Sequence, residues 1–184
     1  SDVCSSDLIL YPMYAPNRRW ERKPYIIQHF LNAYPKFKLL DLSAHEDTGV
    51  FLEGTGSMVF DRVNKVAYAC LSERTHLSLF QEFCERMNHQ AIAFHAYDLQ
   101  GTPIYHTNVM MSVGQGFAVV CMDSITDLKE QELVQESLAK YGQELIPISQ
   151  AQMLAFAGNV LQIQNQQGEP LLVLSQRAYD SLHP

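Results

Sequence analysis

Apolar and polar positions along the chain fall into one arrangement that recurs. Three segments superimpose: "GTGSMVFDRVNKVAYACLSERT", "YHTNVMMSVGQGFAVVCMDSIT" and "FAGNVLQIQNQQGEPLLVLSQRA". Each opens on a small polar or glycine-containing entry and runs into an apolar strand. It then turns through Gly, Asn or Gln and returns as a second apolar strand. Ser57, Asn108 and Asn159 fall 51 residues apart, and so do Cys70 and Cys121. The third segment carries a hairpin loop longer by about two residues.

Helical spacing follows the first two hairpins. In "ERTHLSLFQEFCERMN" the residues Leu77, Phe80, Phe83, Cys84 and Met87 form one predicted buried stripe. In "SITDLKEQELVQESLAKYG" Ile125, Leu128, Val134, Leu138 and Tyr141 do the same, with Ser124 placed to cap the start and Gly142 to end it. Short strands return at "AIAFHA" and "LIPIS". The unit is strand, strand, helix, strand, about 50 residues long. "LILYPMYAPNRRWERKPYIIQHFLNAYPKFKLLDLS" holds the second half of a further unit, and "LSQRAYDSLHP" begins another helix. A repeat that cannot bury its own apolar face needs neighbours or ring closure. The chain therefore reads as a piece of a longer ring.

Composition narrows the function classes. Of 184 residues, 47% are hydrophobic and 18% charged, enough for one domain with a real core. A net charge of -7 and a pI near 5.4 argue against nucleic acid as a partner, because phosphate neutralisation needs a basic surface. No apolar run approaches the roughly 20 residues that span a bilayer, so no membrane role is expected. The cysteines Cys4, Cys70, Cys84 and Cys121 lack a Cys-x-x-Cys pair, which favours a reducing, cytoplasmic setting over a disulfide framework. "CERMNH" offers one Cys and one His with no second pair, so neither zinc nor any other cofactor is expected. The opening "SDVCSSDL" is polar and patternless. Residues 1–7 are set aside as a disordered end or a non-native segment.

Four blocks carry a resemblance: "FLEGTGSMVFDR", "YACLSERT", "PIYHTNVMM" and "QMLAFAGNVL". Through them, from about Leu8 to Leu182, the chain resembles the guanidino-group-modifying superfamily, the penteins. It is most similar to the citrulline utilisation hydrolase branch. The resemblance implies an α/β fold, a five-bladed pentein propeller of strand-strand-helix-strand units, with about three and a half units present. It also implies that residues 8–184 are a partial domain without its N-terminal strand region and its C-terminal nucleophile unit.

The superfamily's chemistry implies roles for particular residues. A cysteine thiolate attacks the carbon of a guanidinium or ureido group, a histidine moves protons, and carboxylates hold the nitrogens. Alone, His106 in "YHTN" would read as a structural histidine at a strand start; the flanking block makes it the expected acid/base. Glu53 in "LEGTG" matches the acidic residue, with Gly54 and Gly56 allowing close backbone approach. Relatives carry an acid where this chain has Gly56. Asn108 stands where deiminase-type relatives have an aspartate. An amide can donate to a carbonyl oxygen, which hints at a ureido substrate, although a plain turn asparagine fits equally. Asn159 repeats that position and reads as a structural turn residue.

Arg74 in "SERT" is placed in the first turn of its helix, where a cation opposes the helix dipole; the family match gives it the substrate's α-carboxylate. Arg18 and Arg19 in "NRRWERK" hold the equivalent start one unit earlier, one of them sharing that role. Cys70 and Cys121 sit mid-strand in equivalent repeats and read as core, Cys84 belongs to a helical stripe, and no cysteine matches the nucleophile. A segment preceding Leu8 that would supply a further acid is missing or replaced.

The expected function is hydrolysis of a free citrulline- or arginine-type amino acid, with the nucleophilic cysteine outside this chain and the chain alone inactive. The rivals are an amidinotransferase and a non-catalytic binding module. Oligomeric state stays open, a homo-oligomer included.

Overall fold

The computed structural model describes residues 7–182. Its two middle units have the strand-strand-helix-strand form that the repeat predicts. In the first, β3 (Val59–Asp61) pairs antiparallel with β4 (Val66–Cys70), α3 (Leu77–Arg86) crosses over, and β5 (Gln90–Phe94) returns parallel to β4. In the second, β6 (Met111–Val113), β7 (Phe117–Val120), α5 (Leu128–Lys140) and β8 (Glu144–Pro147) repeat the same pairings. A parallel pair precedes them, β1 (Asp7–Leu10) and β2 (Lys38–Asp41), with α1 (Pro16–Arg19) and α2 (Pro24–Ala33) between. An antiparallel hairpin follows, β9 (Leu161–Gln164) and β10 (Pro170–Val173), and then α7 (Gln176–Leu182). Among the described residues these make four small sheets, none closed on itself.

The period-two alternation of a strand explains how one sheet serves two helices. Val66, Tyr68 and Cys70, with Ile92 and Phe94 beside them, join Val134 and Leu138 of α5 in one core cluster. The opposite face presents alanines: Ala67 and Ala69 with Ala91 and Ala93, packed with Leu79, Phe80, Phe83 and Cys84 of α3. Methyl-sized side chains on that face let the helix approach closely, and its aromatic rings fill the space. Tyr68 lies wholly buried, and its hydroxyl meets Ser137 Oγ of α5 at 3.0 Å. Cys70 ends β4 and Cys121 lies just past β7, so neither is mid-strand as expected, but both are fully buried in the same cluster, as a core reading requires.

Three expectations about helices need correction. α3 begins at Leu77, which lies on its exposed side, and Leu79 takes the inward place. Leu128 is the first residue of α5 and is 77% exposed. Ser124 does not cap α5. It ends a 3-10 turn (Met122–Ser124), is buried, and donates its hydroxyl to Cys121 Sγ at 3.2 Å. Asp127 is the cap, its carboxylate accepting from Lys129 N and Glu130 N. Gly142 does end the helix. Its φ of +67° lets the chain turn so that Gly142 N and Gln143 N reach the carbonyls of Ala139 and Leu138.

Candidate active site

Glu53 leaves the Phe51–Gly54 segment pointing inward, its side chain only 1% exposed. Burying a carboxylate is costly without partners, and this one has three. Oε1 accepts from Tyr14 N at 2.9 Å. Oε2 stands 2.6 Å from His106 Nε2 and 3.8 Å from Arg74 Nη1. The contact to Oε2 makes Nε2 the protonated nitrogen, which leaves Nδ1 of a neutral ring as an acceptor.

Glu53 and Arg74 flank the β3–β4 hairpin of one unit, His106 stands at the entry of the next, and short polar links hold their loops in register. Ser57 Oγ accepts from Glu53 N at 2.8 Å and donates to Arg74 O at 2.9 Å. Thr107, first residue of the one-turn helix α4 (Thr107–Met110), donates its hydroxyl to Ser57 O and accepts from Cys70 N. Asn108 N donates to Gly56 O at 3.2 Å. The two middle units are thus tied together through Ser57, Gly56 and Cys70 on one side and Thr107 and Asn108 on the other.

Gly56 lets the His106 ring approach the backbone closely. A Cβ at this position would stand 2.9 Å from His106 Nδ1 and Cε1. The imidazole lies flat against the Gly56 backbone, and any side chain there displaces it. Gly54 has a φ of +60° and its missing Cβ faces the Tyr11 ring at 3.1 Å.

His106 titrates below its ordinary value. Burial disfavours the imidazolium most; the hydrogen bond and charge of Glu53 pull the other way, and the cations Arg74 and Arg18 add to the lowering. The ring is therefore neutral at pH 7, with a carboxylate ready to stabilise the cation when a proton arrives.

Arg74 requires a correction. It does not lie in a helix but at the tip of the tight Ser72–Thr75 turn that precedes α3, so the helix-dipole argument does not apply. Its guanidinium packs against two aromatic rings, with Cζ 4.9 Å from the Tyr105 centroid and 5.5 Å from the Tyr14 centroid. Its Nε is buried with no hydrogen-bond partner.

Arg18 and Arg19 divide. Arg19 is tied to the frame: Nε donates to Met13 O, Nη2 to Tyr14 O, and Glu46 Oε2 lies 3.4 Å away. Arg18 donates two bonds to exposed Glu21, each at 3.2 Å, while its charge reaches His106. Asn108 lines a cleft of about 760 Å³ shared with Thr55, β3, β6 and the Gly158–Gln162 stretch, and Glu53, His106 and Arg74 are not among its lining residues. Asn159 is exposed, its N–H donating to Phe156 O at 3.0 Å.

None of the described thiols suits nucleophilic attack. Burial pushes Cys70 and Cys84 up to about 12, and raises Cys121. Cys4 lies outside the described residues. In "CERMNH", Cys84 is in the core and His89 Nδ1 meets Met87 O at 2.8 Å. Among the described residues no three His, Cys, Asp or Glu groups converge as metal ligands, and no helix is long and apolar enough to cross a membrane.

Sequence reasoning missed Tyr14, Tyr105 and the Arg22–Glu46 pair. Arg22 grips Glu46 with two bonds, at 2.7 and 2.8 Å, and Met13 N adds a third at 2.7 Å. Burial pushes the Glu46 carboxyl up, but these bonds and the Arg22 and Arg19 charges outweigh it and hold it low. Tyr105 adjoins His106 in the chain and was within reach; Tyr14 and Glu46 meet the site only through the fold.

Comparison with known proteins addresses the fold and the family. The chain is similar to solved structures of ArgZ, an arginine dihydrolase from the ornithine-ammonia cycle in cyanobacteria. For the apo structure the TM-score is 0.70 at 16% identity over 98% of this chain and 27% of that one. For the N-terminal domain of a cysteine-to-serine mutant bound to substrate it is 0.71 at 16% identity, over 97% and 60%. A cysteine-to-alanine mutant of AgrE with L-arginine matches with a TM-score of 0.68 at 18% identity, over 86% and 22%. This chain thus spans between 27% and 60% of the two ArgZ chains. At such identities the likeness establishes the fold. No curated protein sequence matches. The model of the family described as "N,N dimethylarginine dimethylhydrolase, eukaryotic" matches residues 2–184. By that match the chain belongs to the eukaryotic N,N dimethylarginine dimethylhydrolase family, within the pentein guanidino-group-modifying superfamily.

Proposed function

We propose that this chain carries the proton-transfer and substrate-holding part of a hydrolase that acts on the ureido or guanidino group of a free amino acid. The observation that carries the reading is the 2.6 Å contact between buried Glu53 and His106, with Arg74 within 3.8 Å of the same carboxylate oxygen. A purely structural pair has no need of a third, cationic partner whose Nε is left without a bond.

In this reading His106 is the general acid and base, and Glu53 orients its ring and stabilises the imidazolium. Arg74 takes the substrate α-carboxylate along its unsatisfied edge, and Arg18 rather than Arg19 adds a second positive charge. Asn108 donates to a ureido oxygen. The nucleophile is a cysteine supplied from outside these residues, since burial disqualifies the described thiols. Its thiol proton passes to His106 as the sulfur forms a bond to the central carbon. The departing nitrogen takes that proton from His106 and leaves as ammonia or amine. Water then attacks, giving a proton to His106, which returns it to the sulfur as the carbon–sulfur bond breaks.

The units serve as blades of a five-bladed propeller that the rest of the protein completes. Citrulline, arginine and, from the family's name, dimethylarginine are the candidate substrates. With Gly56 replacing a second acid, the far end of the reacting group meets no second carboxylate from that position, which favours a neutral ureido group over a guanidinium.

The test is ammonia or amine release by the full-length protein from each of these three amino acids. His106→Ala and Glu53→Gln are expected to lower turnover by about 10²–10⁴-fold. Undiminished release in His106→Ala would overturn the assignment.

A further inference from the structure

Tyr14 stands in none of the four blocks, yet it touches both charged partners of His106. Its backbone N–H donates to Glu53 Oε1 at 2.9 Å. Its ring centroid lies 5.5 Å from Arg74 Cζ, and the Tyr105 centroid lies 4.9 Å from the same carbon. Its hydroxyl faces Glu73, the residue before Arg74 on the same tight turn. The loop that bears Tyr14 is itself anchored. Arg19 Nη2 donates to its carbonyl at 3.3 Å, and its ring meets Phe51 edge-on at 5.3 Å.

These contacts constrain Arg74 in a specific way. A guanidinium packed against two aromatic rings loses much of its freedom to move. Its Nη1 lies 3.8 Å from Glu53 Oε2, too far for a hydrogen bond, so the rings hold the pair together more than the pair holds itself. Removing the Tyr14 ring therefore frees the arginine to swing towards water, where its charge is better solvated.

We infer that Tyr14 is the positioning residue of the Glu53–Arg74 pair. Its ring fixes the arginine, and its backbone fixes the carboxylate that His106 shares. The inference rests on reading Glu53, His106 and Arg74 as one reactive site, but its test does not need turnover.

The test is the titration of His106 followed by NMR in the 184-residue chain. The charged groups acting on the ring are Glu53, Arg74 and Arg18. Tyr14→Ala is expected to raise the midpoint by about 0.5 pH unit, because the Arg74 cation moves off. Tyr14→Leu, which keeps volume but lacks an aromatic face, should do the same, and Tyr14→Phe, which keeps the ring, should stay near wild type. Arg74→Gln should give the same rise, and adding Tyr14→Leu to it should change nothing further. A Tyr14→Leu variant that titrates like wild type would overturn the inference, as would full additivity in the double variant. The Leu and Phe variants decide the matter if the Ala variant does not fold. Absence of turnover in the unmodified full-length protein, with these titrations behaving as expected, would sink the functional reading and leave this one standing.

Discussion

At the scale of single residues, His106 is governed by what it is pressed against. Gly56 supplies a flat backbone wall, Glu53 a charge, and burial a bias towards the neutral ring. Gly56→Ala is expected to push the imidazole off Glu53 and to cost about 1–3 kcal/mol from overpacking. Urea denaturation and the His106 chemical shifts would read the two effects. The lowered titration of His106 also sets a pH dependence. The folded ring binds its proton less tightly than the unfolded chain does, so stability rises with pH through the window that begins at the lowered folded value and closes near 6.5. Acidification from pH 7 should weaken the fold across that window, and a His106→Asn variant should lack this part of the slope. His106, Glu53 and Arg74 were legible in the sequence because each sits inside a string of matched neighbours. The physical reason first attached to Arg74 was wrong, since a helix start cannot be fixed to within a few residues by apolar spacing alone. Tyr14 was not legible at all. It lies 39 positions from Glu53 and 60 from Arg74, and only the packing of one unit on the next brings them together.

At the scale of elements, alternation and caps account for most of what forms. The two-faced sheet of β4 and β5, bulky towards α5 and alanine-lined towards α3, could be read as fully apolar strands but not as a choice of faces. Ala69 is completely buried under α3, so Ala69→Leu is expected to destabilise by about 1–3 kcal/mol, measured as a shift in denaturation midpoint. The cap of α5 is Asp127, and Asp127→Ala should cost about 1 kcal/mol, whereas capping plays no part in any effect of Ser124→Ala. Ser124 was chosen from residue type. The 3-10 turn that carries the chain past it depends on tertiary contacts around Ile125, which is fully buried. Leu77 and Leu128 misled for the same reason: as first residues of their helices, they sit where the apolar stripe has not yet met its sheet.

At the scale of the whole molecule, the repeat was the most legible feature, since 51-residue offsets place equivalent strands in equivalent sheets. The two ends of the array differ from its middle. No residue of α2 is buried, Trp20 is 74% exposed and Tyr25 72%, and β9 and β10 present Leu161, Leu171, Leu172 and Val173 to solvent. Trp20 is the sole tryptophan, so the emission of this chain should be that of a water-exposed indole, readily quenched by acrylamide. A blue-shifted, protected emission would show that this flank is covered.

The account stands or falls on whether Glu53 and His106 act as one buried pair, and the His106 titration in wild type and Glu53→Gln tests that most directly. We predict a midpoint below 6.5 in wild type and a further fall in Glu53→Gln, because the carboxylate's upward pull is lost while burial, Arg74 and Arg18 remain. A wild-type midpoint at or above 6.5, unmoved by Glu53→Gln, would contradict the account.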